Sequence, residues 1–204
     1  VRSVGEFSGI KSSEGIDVYL KKGAKESVKV EVSGTNLYNV LTEVSGSFLK
    51  IHMRENRYRG SVNVKVYVTY REINKISASS ASNVYTQGPI RTRQLNISAS
   101  SAATVDIEVE VGSIEVSTSS AADVELEGKT EKAYYEASSA GEVDADDLKA
   151  ETVKASASSA GSIRLYVSKD FDGRASSGGS IRYRGNPSRS NTDASSGGSV
   201  RKSW

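Results

Sequence analysis

The 204-residue chain has no cysteine, two prolines, one histidine, one methionine, one tryptophan and three phenylalanines. Without Cys there can be no disulfide, no thiolate nucleophile and no thiolate metal site. The single His52 leaves no imidazole pair to bind a metal and no Ser-His-Asp set; between Ile51 and Met53 it is expected on the outward face of an alternating strand. So few large side chains exclude a thick core, whereas stacked Val, Ile and Ala can fill a narrow one. No apolar run approaches the roughly 20 residues that cross a bilayer. No signal sequence is visible, and the start at Val1 without Met reads as a trimmed or mature form. Lys and Arg (27) nearly balance Asp and Glu (25), so no basic surplus points to nucleic acid. Phosphate-loop, dinucleotide and zinc spacings are absent as well.

What the chain does have is one phrase written seven times. Ser pairs at 79–80, 100–101, 119–120, 138–139, 158–159, 176–177 and 195–196 recur at steps of 21, 19, 19, 20, 18 and 19 residues. A fixed period near twenty is the mark of a solenoid. A small residue precedes each pair (Ala78, Ala99, Thr118, Ala137, Ala157, Ala175, Ala194). A branched one stands four after it (Val84, Val105, Val124, Val143, Ile163, Ile181, Val200). Between these anchors the chain alternates with period two, as in Val105-Asp106-Ile107-Glu108-Val109, the pattern of strands with one buried face.

The fold expected is therefore all-β: a single-stranded parallel β-helix of about 18–21 residues per rung, right-handed by the general crossover preference. Each rung would hold two or three short strands with rungs roughly 4.8 Å apart. The Leu/Asn consensus of leucine-rich repeats and the GGxGxD phrase of calcium rolls are both missing. The Ser pairs read as tight corners whose hydroxyls bond backbone and stack into ladders. Residues 76–204 form the regular array. Residues 1–75 lack the phrase but carry strands such as Val28–Val32, Leu49–Met53 and Val62–Val68, and are expected to be the broad, irregular start or cap of the same solenoid.

The phrases "FSGIKSSEGIDVYLKKG" and "SVKVEVSGTNLYNVLTEVSGSFLKI", followed by Ser-Ser-Ala/Gly rungs, resemble the bacterial family described as putative auto-transporter adhesin, head GIN domain. The likeness covers nearly the whole chain, and its specificity lies in the order of the phrases. It implies an exported β-solenoid at the periplasm or cell surface of a Gram-negative bacterium, lipid-anchored where a leader outside this sequence provides for it. No catalytic or ligand residues come with the resemblance.

Stacking the outward positions gives two rows. One reads Tyr85, Asp106, Glu125, Asp144, Arg164, Arg182, Arg201; the other reads Gln87, Glu108, Glu127, Asp146, Tyr166, Arg184, Ser203. The sign changes halfway along. Carboxylates about 5 Å apart repel by the order of 1 kcal/mol in water, so Asp106, Glu108, Glu125, Glu127, Asp144 and Asp146 are candidates for weak divalent-cation binding. Tyr85, Tyr166, Arg164, Arg182, Arg184 and Arg201 are candidates for contact with a glycan or an envelope protein, and Tyr134 and Tyr135 also fall within rungs. Tyr183 aligns with Ile107 and Leu126 and should face the core. The function expected is non-enzymatic adhesion or envelope scaffolding, with no cofactor; the alternative is a β-helix polysaccharide lyase or hydrolase using the acidic face.

Overall fold

A computed structural model of the chain describes residues 1–54 and 61–203. It is a β-solenoid of about 7 turns. The strands are β1 (Gly9–Ser12), β2 (Asp17–Lys22), β3 (Ser27–Ser33), β4 (Val40–Ser45), β5 (Phe48–Met53), β6 (Asn63–Tyr70), β7 (Lys75–Ala78) and β8 (Asn83–Thr86). They continue as β9 (Ile90–Ala99), β10 (Thr104–Thr118), β11 (Asp123–Ala137), β12 (Glu142–Ala157), β13 (Ser162–Ala175), β14 (Ser180–Arg184), β15 (Arg189–Ala194) and β16 (Ser199–Lys202). Successive repeat rungs pair in parallel and in register, so that Val105 meets Val124, Val143, Ile163 and Ile181 in one column. All five are fully buried.

Within a rung the inward positions run 105, 107, 109, 111 and then 114, 116, 118. The parity flips across Gly112 and Ser113, so one long strand turns a corner there and presents two outward faces. The core is a narrow stack of aliphatic side chains, as a sequence poor in Phe, Met and Trp requires.

The Ser phrase makes the other corner. In each copy the second Ser and the residue after it both have positive φ, for example Ser120 at 53° and Ala121 at 58°. The N–H of the fourth residue bonds back to the first, as Ala122 does to Ser119 at 3.1 Å. Two consecutive left-handed residues closed by this bond form a type I′ turn. Corners are tied to one another through backbone rather than through the hydroxyl ladders expected from sequence: Ala102 N–H donates to Ser120 O at 3.0 Å, and Ala121 N–H to Ser139 O at 3.2 Å. Ser82 is a corner hydroxyl that does reach backbone, at Ser12 O 3.1 Å away.

The N-terminal strands join the stack out of sequence order. β1 pairs with β5 on one side and β7 on the other, and β2 lies likewise between β6 and β8. β3 and β4 then run antiparallel on the outer edges of β6 and β5, covering the backbone edge that a parallel array would leave unpaired at this end.

The first outward row holds throughout: Tyr85, Asp106, Glu125, Asp144, Arg164, Arg182 and Arg201 are consecutive register partners. The second row does not. Glu127 pairs with Asp147 rather than Asp146, and Tyr166 pairs with Lys149. A bulge at Asp146 and Asp147 takes up the extra residue of this rung, and beyond it the outward side chains line up one residue later than the count from the anchor, Glu127 with Asp147 and Lys129 with Lys149. Tyr183 is only partly buried, but it packs against the core with its ring 4.5 Å from that of Phe171.

Candidate functional site

The first outward face follows the Ser corner, where each Val or Ile anchor points in and its successor must point out. The sequence row is longer than the repeats alone disclose, because Tyr19 of β2 pairs with both Tyr67 and Tyr85. The three rings stack, with centroids 5.1 and 5.3 Å apart and planes tilted by 18° and 23°. Lys29 sits 5.5 Å from the outer ring, Tyr67. The central ring, Tyr19, has both faces covered by its neighbours and offers neither to a sugar. Tyr166 carries the Lys149 ammonium 4.5 Å from its ring centre.

Beyond Tyr85 the row turns acidic. The Glu125 carboxyl is pushed above its usual value, chiefly by the charge of Asp106, then by burial and by Asp144. Asp123, beside this row, is also pushed up, mainly by burial and then by Glu142. Arg164 ends the run, its Nη2 lying 2.7 Å from Asp144 and 3.1 Å from Glu142. The bulge has its own arginine: Arg184 reaches past the intervening rung to place Nε 3.3 Å from Asp146 Oδ1 and Nη2 2.9 Å from the Asp146 carbonyl. Arg182 and Arg201 follow in the row and form no ion pair within 4 Å among the described residues. Among the described residues no group of three or more His, Cys, Asp or Glu side chains is arranged to hold a metal ion. His52 is half-buried, with Nδ1 3.1 Å from the Met53 carbonyl.

The second outward face lies beyond the Gly112 bend, and sequence stacking of the first face passed it over. Ser77, Ser98 and Ser117 stand in register on β7, β9 and β10, beside a row of Lys75, Asn96 and Glu115. The larger Lys11 and Glu136 bound the Ser row at its two ends. Tyr134 follows Glu115 on the next rung and is 43% exposed, unusual for an aromatic in this protein. At the other end the Phe48 ring lies over Gly9, where a Cβ would come within 2.7 Å of a ring carbon. Two shallow clefts of about 350 and 390 Å³ share Glu115 and Ser117 and together run from Phe48 past Tyr134. The signal was present in the repeated phrase itself, since "ISASS" and "VSTSS" carry these serines one residue before each small inward anchor.

Comparison with known proteins accords with this architecture. The family model for the putative auto-transporter adhesin, head GIN domain, matches residues 6–187. A putative adhesin from Bacteroides fragilis superposes with a TM-score of 0.90 at 22% identity, over 99% of this chain and 94% of that one. A putative adhesin from Parabacteroides merdae follows at 0.81 and 18%, over 100% and 94%. A Parabacteroides distasonis structure described as a putative lipid binding protein gives 0.74 and 17%, over 100% and 95%. These likenesses show a shared fold. No curated protein matches the chain.

Proposed function

The chain belongs to the putative auto-transporter adhesin, head GIN domain family, and from that premise we propose that it is a non-enzymatic binding module of the bacterial envelope. It is exported to the periplasm or cell surface and holds an extended partner, a glycan or another envelope component, against its solenoid faces. The observation that supports this reading is the unbroken register of the first outward row, Tyr85 to Arg201, on strands paired on both sides as far as β14. Side chains already ordered on a rigid sheet lose little further freedom when a partner docks, and a repeated spacing suits a repeated partner. The acidic row lends the hydrolase reading less support: its carboxylates lie side by side on an open face rather than across a cleft, and Asp144 and Asp146 are engaged by arginines.

The test is to immobilise the purified chain and pass over it polysaccharide and protein fractions of a Bacteroidales envelope, while assaying the same fractions for release of reducing ends. Saturable binding without release is expected. Robust release that disappears in Asp144→Asn would overturn the non-enzymatic reading.

A further inference from the structure

We infer that the trough between Phe48 and Tyr134 is a binding site for an extended, uncharged glycan chain lying along the solenoid axis. This deepens the reading above and rests on it. The trough is built by small side chains in register: Ser77, Ser98 and Ser117 make a floor lower than the Lys11 and Glu136 at its ends. Asn96 adds an amide beside the floor, where the Ser hydroxyls recur at the rung spacing of roughly 4.8 Å. From the rung beneath Phe48 to that of Tyr134 there are four steps, roughly 19 Å, long enough for several consecutive sugars.

The chemistry of the lining selects the occupant. Sugars present hydroxyls that exchange hydrogen bonds with Ser and Asn, and apolar ring faces that rest against aromatic side chains. Tyr134 and Phe48 offer such surfaces at the two ends. Each is attended by a flexible lysine, Lys154 at 6.0 Å and Lys75 at 5.8 Å from the ring centres, which a ligand can displace, unlike the ring-on-ring packing of Tyr19. A peptide strand would need a free backbone edge, but β7, β9 and β10 are each paired on both sides here. A nucleic acid would bring phosphates to Glu115 and Glu136. Lys11, Lys75 and Lys154 are set around the trough against Glu115 and Glu136, so neither a polyanion nor a polycation is favoured over a neutral chain.

The experiment is calorimetric titration of the intact chain with neutral hexasaccharides (β-1,4-glucan, β-1,3-glucan, xylan and chitin fragments) and with an oligogalacturonate. Three variants are run beside the wild type: Tyr134→Ala, Ser98→Gln to fill the floor, and Arg182→Ala/Arg201→Ala on the other face. At least one neutral oligosaccharide is expected to bind the wild type. The affinity should fall about tenfold or more in Tyr134→Ala, the loss of one aromatic anchor, fall similarly in Ser98→Gln, and stay unchanged in the double arginine variant. Both trough side chains are exposed enough for melting temperatures to remain at the wild-type value, which is measured alongside. Binding confined to the oligogalacturonate and lost with the arginines would overturn the trough while leaving the adhesive reading intact. Binding of no neutral oligosaccharide at millimolar concentration, or binding indifferent to Tyr134, would overturn it as well, and the envelope-fraction assay then judges the broader reading alone.

Discussion

Arg164 lies 2.7 Å from Asp144 on the neighbouring rung, and this contact marks where the outward row changes sign. Glu125 and Asp106, one and two rungs further back, have no such partner in the row. Their repulsion is what raises the Glu125 carboxyl. A carboxyl raised in the folded state binds protons more readily there than in the unfolded chain, so its contribution to stability is greatest at low pH and is lost as the pH rises through the folded value. Glu125→Gln should therefore raise the melting temperature at pH 7, and the gain should shrink as the pH falls through the raised folded value and be gone below the usual carboxyl value of 4.5. Melting curves across that range check it; a gain that is constant with pH would show that the charge is not the cause.

Val124 and Glu125 are adjacent in sequence and opposite in environment, the first fully buried and the second exposed. Val124→Asp places an uncompensated carboxylate in the aliphatic stack and should cost about 3–5 kcal/mol or prevent folding. Glu125→Ala should leave the fold intact, and denaturant titration of the pair measures the contrast.

The corners permit a sharper comparison between two glycines of the same phrase. A Cβ on Gly161 would lie 2.3 Å from the Ala137 carbonyl oxygen, whereas one on Gly178 meets nothing closer than 4.0 Å. Gly178 has a φ of +75°, yet Ala occupies the same left-handed position in five other corners. Gly161→Ala should thus lose about 2 kcal/mol or more through overpacking, and Gly178→Ala about 1 kcal/mol. Reversal of that order in thermal melts would contradict the corner geometry.

Tyr135 points into the core and its hydroxyl has no hydrogen-bond partner among the described residues. Burial pushes the phenol far above its ordinary range. An unsatisfied buried hydroxyl costs about 1–3 kcal/mol, so Tyr135→Phe should stabilise the protein by on the order of 1 kcal/mol. Chemical denaturation decides the matter, and a loss of stability would reveal a partner for the hydroxyl.

Much of this was legible in the chain because a solenoid repeats its rules. The small and branched anchors predicted the buried columns, and one outward row followed from them by parity. Tyr19 was not foreseeable as the centre of a stack, since β1 and β2 carry no Ser phrase and enter between strands that come later in sequence. The bulge at Asp146 and Asp147 hid the second row, because counting from the anchor assumes that no residue is inserted. The trough escaped for a related reason: the Gly112 bend flips the parity, so stacking from Val105 cannot reach Ser117.

The left-handed corners bear on how the array comes apart. Each Ser-Ala pair holds a backbone conformation disfavoured by roughly 1 kcal/mol or more per residue, and each offers its carbonyl to the corner before it, as Ser120 does to Ala102. A corner in isolation would bear that penalty unrelieved, while one inside the column shares it with neighbours on both sides. Amide exchange should accordingly be slowest near Ala121 and quicken toward either end. The column then behaves as a zipper: rungs are lost from the ends inward, and one cannot melt in the middle without releasing the rungs on each side of it.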